Sequence, residues 1–124
     1  MAISFQADME DGLLVVTASG RDESLQQVVD YGRAVIQLAV EKEVRRVLCD
    51  ERNLEYALGM FDTFQAAKTI AECAPRVGRV AIVCGPKFLE TGKFWETVAV
   101  NRHFHVRVDT DLDRARAWLM EGDK

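Results

Sequence analysis

The feature that most constrains the fold is the alternation of short apolar runs with longer amphipathic segments. Residues 47–49 (Val-Leu-Cys) and 80–84 (Val-Ala-Ile-Val-Cys) have no polar face, which is typical of strands covered on both sides. Around them, apolar residues recur at the three- and four-residue spacing of helices. Strands that alternate with helices predict right-handed crossovers and a mainly parallel sheet, with these two runs at its centre.

The start of the chain predicts a β-hairpin. Ile3, Phe5 and Ala7 alternate with polar residues, Asp11-Gly12 marks a tight turn, and residues 13–18 are rich in aliphatic side chains. Because a hairpin joins antiparallel strands, we expect the first strand to run against the rest of the sheet.

The first two helices are predicted from apolar stripes that follow capping residues. The first stripe starts behind two candidate N-caps, Asp22 and Ser24, and ends near Glu43. The second follows Asp62 as its N-cap and is closed by Pro75 and Gly78.

The remaining elements are a third helix, an edge strand and a fourth helix. The third helix, around residues 88–99, is expected to be interrupted or loosened at Gly92, and Thr110 is the candidate cap of the fourth. Between them, residues 104–108 alternate as a strand with one open face does. The order ββαβαβαβα predicts a single α/β domain over residues 1–124, with four helices on a five-stranded mixed, mainly parallel sheet.

Charge and composition exclude several classes of function. The net charge is −4 and the basic residues are scattered, which argues against a surface that follows nucleic-acid phosphates. No apolar run reaches the roughly 18 residues that a membrane span needs, and the first residues lack the pattern of a signal peptide. Three cysteines without C-x-x-C spacing suit a reducing compartment as free thiols. We therefore expect a soluble cytoplasmic protein.

Four stretches together resemble the SpoIIAA-like proteins of bacteria, relatives in fold of the STAS domains of anti-sigma-factor antagonists. They are the opening hairpin, residues 47–52 (Val-Leu-Cys-Asp-Glu-Arg), residues 79–83 and residues 111–119. The resemblance implies a module that binds a protein partner and is switched by phosphorylation of a Ser after the third strand. Asp50 matches the Asp that precedes that Ser, but Glu51 stands in the Ser position. The usual phospho-switch is therefore not expected, although a carboxylate there could imitate part of a phosphate's charge.

Polar residues are predicted to gather at the carboxyl ends of the parallel strands, where α/β sheets bind ligands and partners. The stretch 50–53 is interpreted as a loop at this rim, which either binds a partner or only meets solvent. Thr63, just inside the second helix, is either a displaced phosphoacceptor or an ordinary first-turn residue. The candidate interaction residues are Asp50, Glu51, Arg52, Asn53, Thr63, Gly85 and Lys87.

A group of four aromatic residues, three of them around the third helix, is the second candidate region. Its members, Phe61, Phe88, Phe94 and Trp95, either pack in the core, line a pocket for an apolar small molecule, or form a homodimer contact. The edge strand also makes a homodimer plausible, although short polar-faced edges resist pairing.

Evidence for catalysis is weak. Asp50 or Glu51 could act as a general base, with Arg52 or Lys87 holding an anionic substrate. No nucleophile elbow, Gly-rich phosphate loop, zinc-ligand pair or Ser-His-Asp set accompanies them, and no cofactor is predicted.

The two histidines do not predict a metal site. His103 and His105 would share one face of a strand with Arg107, which repels cations, and no third ligand is evident. The sequence therefore predicts, first, a non-enzymatic bacterial regulatory module that binds a protein. Second comes a carrier or sensor of an apolar, lipid-like ligand, and third a small hydrolase or lyase that uses Asp50.

Overall fold

The structure, a computed structural model, describes residues 2–74 and 77–121. The predicted order and fold class are confirmed. The strands are β1 (Ser4–Glu10), β2 (Leu13–Asp22), β3 (Arg46–Tyr56), β4 (Arg79–Cys84) and β5 (Val106–Asp109). The helices are α1 (Leu25–Glu41), α2 (Met60–Glu72), α3 (Leu89–Val100) and α4 (Leu112–Met120), and a short 3₁₀ helix, Pro86–Phe88, precedes α3.

The strands form one sheet in the order β1-β2-β3-β4-β5. β1 is antiparallel to β2, and the other three pairs are parallel. The predicted central strands, β3 and β4, lie inside the sheet, and the predicted edge strand is β5. The carboxyl ends of β2 to β5 consequently share one end of the sheet, as parallel strands must.

The helices are divided unequally between the two faces of the sheet. α1, α2 and α3 pack on one face, where Val35, Ile70 and Ala99 join the larger buried cluster. α4 packs on the other face, where Ala115 and Leu119 complete a smaller cluster. The strand residues of that smaller cluster are Leu13, Leu48, Ala81 and Val83. The central strands are therefore buried on both sides, which explains their continuous apolar character.

A β-bulge interrupts the pairing of β3 with β2. Thr17 pairs with Asp50, but Ser19 pairs with Asn53, so β3 has two residues where β2 has only Ala18. A bulge of this kind shifts the alternation of side chains along the strand. The predicted loop at residues 50–53 is therefore wrong, because these residues belong to β3 and β2 continues beside them to Asp22.

The predicted caps of the first two helices are partly confirmed. Ser24 is the N-cap of α1, and its side chain accepts a hydrogen bond from the backbone N–H of Gln27 at 3.2 Å. Asp22 instead lies in β2. α2 begins earlier than predicted, because its N-cap is Gly59 and Asp62 lies in the first turn. Pro75, predicted to close α2, is outside the described residues.

The last two helices differ from prediction in one detail each. α3 runs unbroken through Gly92, which is buried within it. A Cβ atom at residue 92 would lie 2.6 Å from Cγ1 of Val108, so the glycine lets α3 approach β5 closely. The N-cap of α4 is Asp111 and not Thr110, because the Asp111 side chain accepts the Arg114 backbone N–H at 3.0 Å.

Candidate functional site

A buried carboxyl group with two tyrosine partners lies between the sheet and α1. Glu51 is only 6% exposed. The hydroxyl of Tyr31, on α1, donates to Glu51 Oε2 at 2.8 Å, and the hydroxyl of Tyr56, at the end of β3, donates to Oε1 at 2.5 Å. Each carboxyl oxygen therefore accepts one hydrogen bond, which fixes the side chain on the face of the sheet that α1, α2 and α3 cover.

The bulge in β3 makes this arrangement possible. Before the bulge, Cys49 and Glu51 alternate onto the face that α1 and α2 cover. Because the bulge adds one residue, Leu54 and Tyr56 also reach this face, although Leu54 is three positions after Glu51 and would lie on the opposite face of a regular strand. Tyr56 can therefore contact the carboxyl group of its own strand.

Glu51 and both tyrosines line a cavity of about 90 Å³ between the sheet and α1, α2 and α3. Most of its wall is aliphatic, and Trp95 and Phe104 contribute aromatic surface. None of the described residues that line it is Lys, Arg or His. The side chains with oxygen atoms in the wall are those of Asp22, Tyr31, Glu51, Tyr56, Thr63 and Thr91.

Burial dominates the electrostatics of the cavity. It raises the pKa of Glu51, although the hydrogen bonds from Tyr56 and Tyr31 act in the opposite direction. Burial likewise raises the pKa of Asp22, whose carboxylate accepts the backbone N–H of Ala57. Burial also raises the pKa of Tyr31 and Tyr56 well above the ordinary value, so both remain protonated donors to Glu51 at neutral pH.

Asp50 lies on the opposite face of the sheet from Glu51. It pairs across the sheet with Val83, which packs in the cluster beneath α4. Arg52 Nη2 and Nε lie 2.7 and 2.8 Å from the two Asp50 carboxylate oxygens, and these hydrogen bonds lower the pKa of Asp50. A carboxylate held ionised by an arginine is a weak proton acceptor, so the geometry does not favour Asp50 as a general base.

The other predicted interaction residues are dispersed. Thr63 is 4% exposed, and its hydroxyl donates to the Gly59 carbonyl oxygen at 2.9 Å while the side chain lines the cavity. A Cβ atom on Gly85 would lie 3.6 Å from the Arg52 carbonyl oxygen, so Gly85 is beside β3. Lys87 is exposed, with Nζ 5.6 Å from the centre of the Phe88 ring, and Asn53 is exposed on β3.

The predicted aromatic group also separates. Trp95 lines the cavity and meets Phe104 edge to face at 6.5 Å between ring centres. The Phe88 ring lies 5.4 Å from that of Tyr56 and Phe94 is partly buried, but neither is among the residues that line the cavity. Phe61 is 71% exposed at the start of α2. The four residues do not form one pocket.

Phe61 and its neighbour Met60, which is 74% exposed, form an exposed pair in the first turn of α2. Among the large hydrophobic residues that the structure describes, these two have the highest exposed fractions. The pair follows β3 after three residues and therefore lies at the end of the sheet where the parallel strands finish. Phe61 was predicted as part of an aromatic group, and Met60 was not predicted as a site residue.

The histidines do not share a strand. His103 is in a turn with a positive φ of 67°, and His105 precedes the first residue of β5. Within the described ranges, no group of three or more His, Cys, Asp or Glu side chains is placed to hold a metal ion. Cys49, Cys73 and Cys84 are free, and Cys73 is exposed. No helix in the described ranges has the length and apolarity that crossing a membrane requires.

Tyr31, Tyr56 and the structural role of Asp22 were not predicted from the sequence. One available signal was the alternation Val47, Cys49, Glu51, which places Glu51 on the same face as two buried residues. No local pattern identifies Tyr31 as its partner, since 20 residues separate the two.

Comparison with known proteins supports the fold. No family model matches the chain, and no curated protein sequence matches it. A crystal structure of an anti-sigma factor antagonist from Mycobacterium paratuberculosis is similar over 97% of this chain and 96% of that chain, with a TM-score of 0.60 and 19% sequence identity. The predicted resemblance to the STAS-related, SpoIIAA-like fold is thereby confirmed for the arrangement of strands and helices.

Proposed function

We propose that the protein is a non-enzymatic regulatory module that acts by binding another protein in the bacterial cytoplasm. The observation that carries the proposal is the exposed pair, Met60 and Phe61, at the start of α2. The similarity in fold to a protein named as an antagonist of an anti-sigma factor supports a role in protein contact. Fold alone does not determine function, so the proposal depends on which side chains are exposed at the surface.

The exposed pair has the properties of an interface centre. Covering a Met or Phe side chain stabilises a complex by about 1.5–3 kcal/mol before the costs of association. Both residue types are enriched in protein interfaces. At the same end of the sheet, Arg52, Asn53 and Lys87 offer polar groups for the rim of such a contact. We infer that a partner covers the exposed pair and meets these polar residues around it.

We further infer that phosphorylation of Thr63 does not control this contact. The Thr63 hydroxyl is buried and already donates to the Gly59 carbonyl oxygen. A kinase would have to open the first turn of α2 to reach it. Glu51, in the position of the family's phosphoacceptor, is also buried and supplies no constant negative charge to the surface.

Affinity purification from the native bacterium tests the proposal. We expect the wild type and the control Met120→Ser, which alters a methionine 45% exposed on α4, to retain the same protein. The double variant Met60→Ser, Phe61→Ser should lose it, and the purified partner should bind this variant at least about tenfold more weakly. Equal retention by all three proteins, or no specific protein retained by any of them, would overturn the proposal.

Sedimentation of the same three proteins distinguishes a second copy from a different partner. If the exposed pair mediates a homodimer, the wild type and Met120→Ser will sediment as dimers and the double variant as a monomer. If the pair binds another protein, all three will sediment alike in isolation.

A further inference from the structure

The cavity beside Glu51 has a polar end that the proposed protein contact does not use. Glu51 is 6% exposed, and no ion pair joins it to a cationic side chain among residues 2–74 and 77–121. A buried carboxylate is costly unless an opposite charge or several hydrogen bonds compensate it. Two tyrosine hydroxyls supply hydrogen bonds, but no described side chain supplies a charge.

The hydrogen-bonding groups of the cavity are mainly acceptors. The hydroxyl hydrogens of Tyr31 and Tyr56 point to Glu51, and that of Thr63 points to the Gly59 carbonyl oxygen. The lone pairs of these three hydroxyl oxygens and the second lone pair of each Glu51 oxygen remain available to accept hydrogen bonds. Asp22 adds another carboxyl group in the wall. The Thr91 hydroxyl, also in the wall, can donate as well as accept, but the groups around Glu51 accept, so a ligand that matches this end must donate hydrogen bonds.

Charge selects among the possible donors. The described wall contains two carboxyl groups and no Lys, Arg or His. A fatty acid or another carboxylate would place like charges together in a poorly solvated space, where their repulsion is strong. A cation would instead supply the compensation that Glu51 lacks.

Size and wall chemistry limit the rest of the ligand. An engineered apolar cavity of about 150 Å³ holds benzene. A volume of about 90 Å³ therefore suits a body of roughly four non-hydrogen atoms. Aliphatic residues such as Val35, Ile36 and Ile70 line the wall, so this body should be hydrocarbon. Ile3, Val28 and Leu58 also line the cavity and are only partly buried, so it approaches the surface near the start of α1.

We propose that this cavity binds a small primary ammonium compound, with the ammonium group on Glu51 and a short hydrocarbon chain against the aliphatic wall. The site differs from the predicted lipid-like carrier in both the size and the charge of its ligand. It is also separate from the exposed pair on α2, so either proposal can fail without the other.

Calorimetric titration of the full chain at neutral pH with three ligands of equal chain length tests the site. n-Butylammonium chloride carries the proposed charge, 1-butanol is its neutral counterpart and sodium butyrate is its anionic counterpart. We expect n-butylammonium to bind at least about tenfold more tightly than 1-butanol, and butyrate not to bind. The proposal is overturned if n-butylammonium does not bind up to tens of millimolar, or if 1-butanol binds equally well.

Two variants locate the ligand. Glu51→Gln should reduce the affinity for n-butylammonium to that for 1-butanol, because the charge is removed while the hydrogen-bonding shape is kept. Ala66→Leu places extra volume in the wall, since Ala66 is fully buried and lines the cavity, and it should abolish the binding of both compounds. Unchanged n-butylammonium affinity in either folded variant would contradict the site. The wild-type comparison needs no variant, so it decides the matter even if a substitution prevents folding.

Discussion

At the residue scale, the burial and the pKa of a polar side chain depend on which face of a strand it occupies. Asp50 and Glu51 are adjacent and chemically alike, yet they lie on opposite faces of β3. Arg52 keeps Asp50 ionised at the rim, whereas burial raises the pKa of Glu51 inside the cavity. Because successive strand residues alternate between faces, neighbouring carboxyl groups experience different dielectric surroundings.

Gly92 provides the residue-scale prediction. In Gly92→Ala the new Cβ atom would lie 2.6 Å from Val108 Cγ1 and 3.5 Å from Cys84 Sγ, so α3 must move away from β5. We expect a loss of about 1–3 kcal/mol in the free energy of unfolding, measured by urea denaturation. The matched control is Gly59→Ala, where nothing lies within 4 Å of the new atom and φ is −70°. Gly59 is the N-cap of α2, where Ala is less favourable than Gly, so this control should cost about 1 kcal/mol or less; equal effects of the two substitutions would contradict the role given to Gly92.

At the element scale, α4 is the only helix on its face of the sheet among the residues that the structure describes. It packs Ala115 and Leu119 over β3 and β4. The guanidinium group of Arg79, at the start of β4, lies 5.0 Å from the centre of the Trp118 ring, and its Nη1 donates to the Trp118 carbonyl oxygen at 2.6 Å. Within residues 2–74 and 77–121 no second helix covers this face, so the stability of the sheet depends strongly on a few α4 side chains.

Two adjacent substitutions in α4 test this dependence. Leu119 is fully buried, and Leu119→Ala should reduce the free energy of unfolding by about 2–5 kcal/mol through lost burial and a cavity. Met120 is 45% exposed, and Met120→Ala should have an effect within about 0.5 kcal/mol. Chemical denaturation, followed by circular dichroism, measures the free energy of unfolding of both variants. Similar losses for the two variants would mean that α4 is not anchored by Leu119.

At the scale of the whole molecule, two groups of carboxyl side chains give the free energy of unfolding opposite dependences on pH. The pKa values of Asp50 and Asp109 are lowered, mainly by Arg52 and Arg114. Their contribution is present above the ordinary value of 3.8 and is lost as the pH falls through the lowered folded pKa. Glu51 and Asp22 have raised pKa values, so their contribution is present below the ordinary values of 4.5 and 3.8 and is lost as the pH rises through the folded pKa.

The free energy of unfolding should therefore be greatest at mildly acidic pH. We expect it to fall on both sides of this maximum when urea denaturation is repeated from about pH 3 to about pH 9. Glu51→Gln should reduce the decline on the high-pH side and leave the low-pH side unchanged. The control Glu72→Gln, at an exposed helix residue, should retain the wild-type profile. A high-pH decline that persists in full in Glu51→Gln would show that Glu51 is not its source.

Local patterns predicted much of the fold because they report directly on secondary structure. The apolar runs at residues 47–49 and 80–84 identified β3 and β4, and the Ser24 cap located the start of α1. Two of the errors occurred where a polar sequence adopts extended structure, as at residues 50–53, and where packing overrides propensity, as at Gly92. In both places a neighbouring strand or helix determines the conformation.

The sequence predicted where the candidate site lies on the sheet, but not that its residues are buried. The carboxyl ends of the strands were identified, and Glu51 and Thr63 were named, but both were expected at the surface and not in a cavity wall. Among the predicted aromatic residues, only Trp95 lines that cavity. Solvent exposure depends on what covers a residue, and the covering helices are distant in the sequence.

The sequence by itself determined the order of elements, the parallel direction of four strands, and the central position of β3 and β4. Residue spacing and the handedness of strand-helix-strand connections are sufficient for these features. Only the tertiary structure decided the bulge in β3, the contact of Tyr31 with Glu51 across 20 residues, and the cavity beside them. These depend on how strands shift against one another and how helices pack on the sheet, and no single segment encodes either.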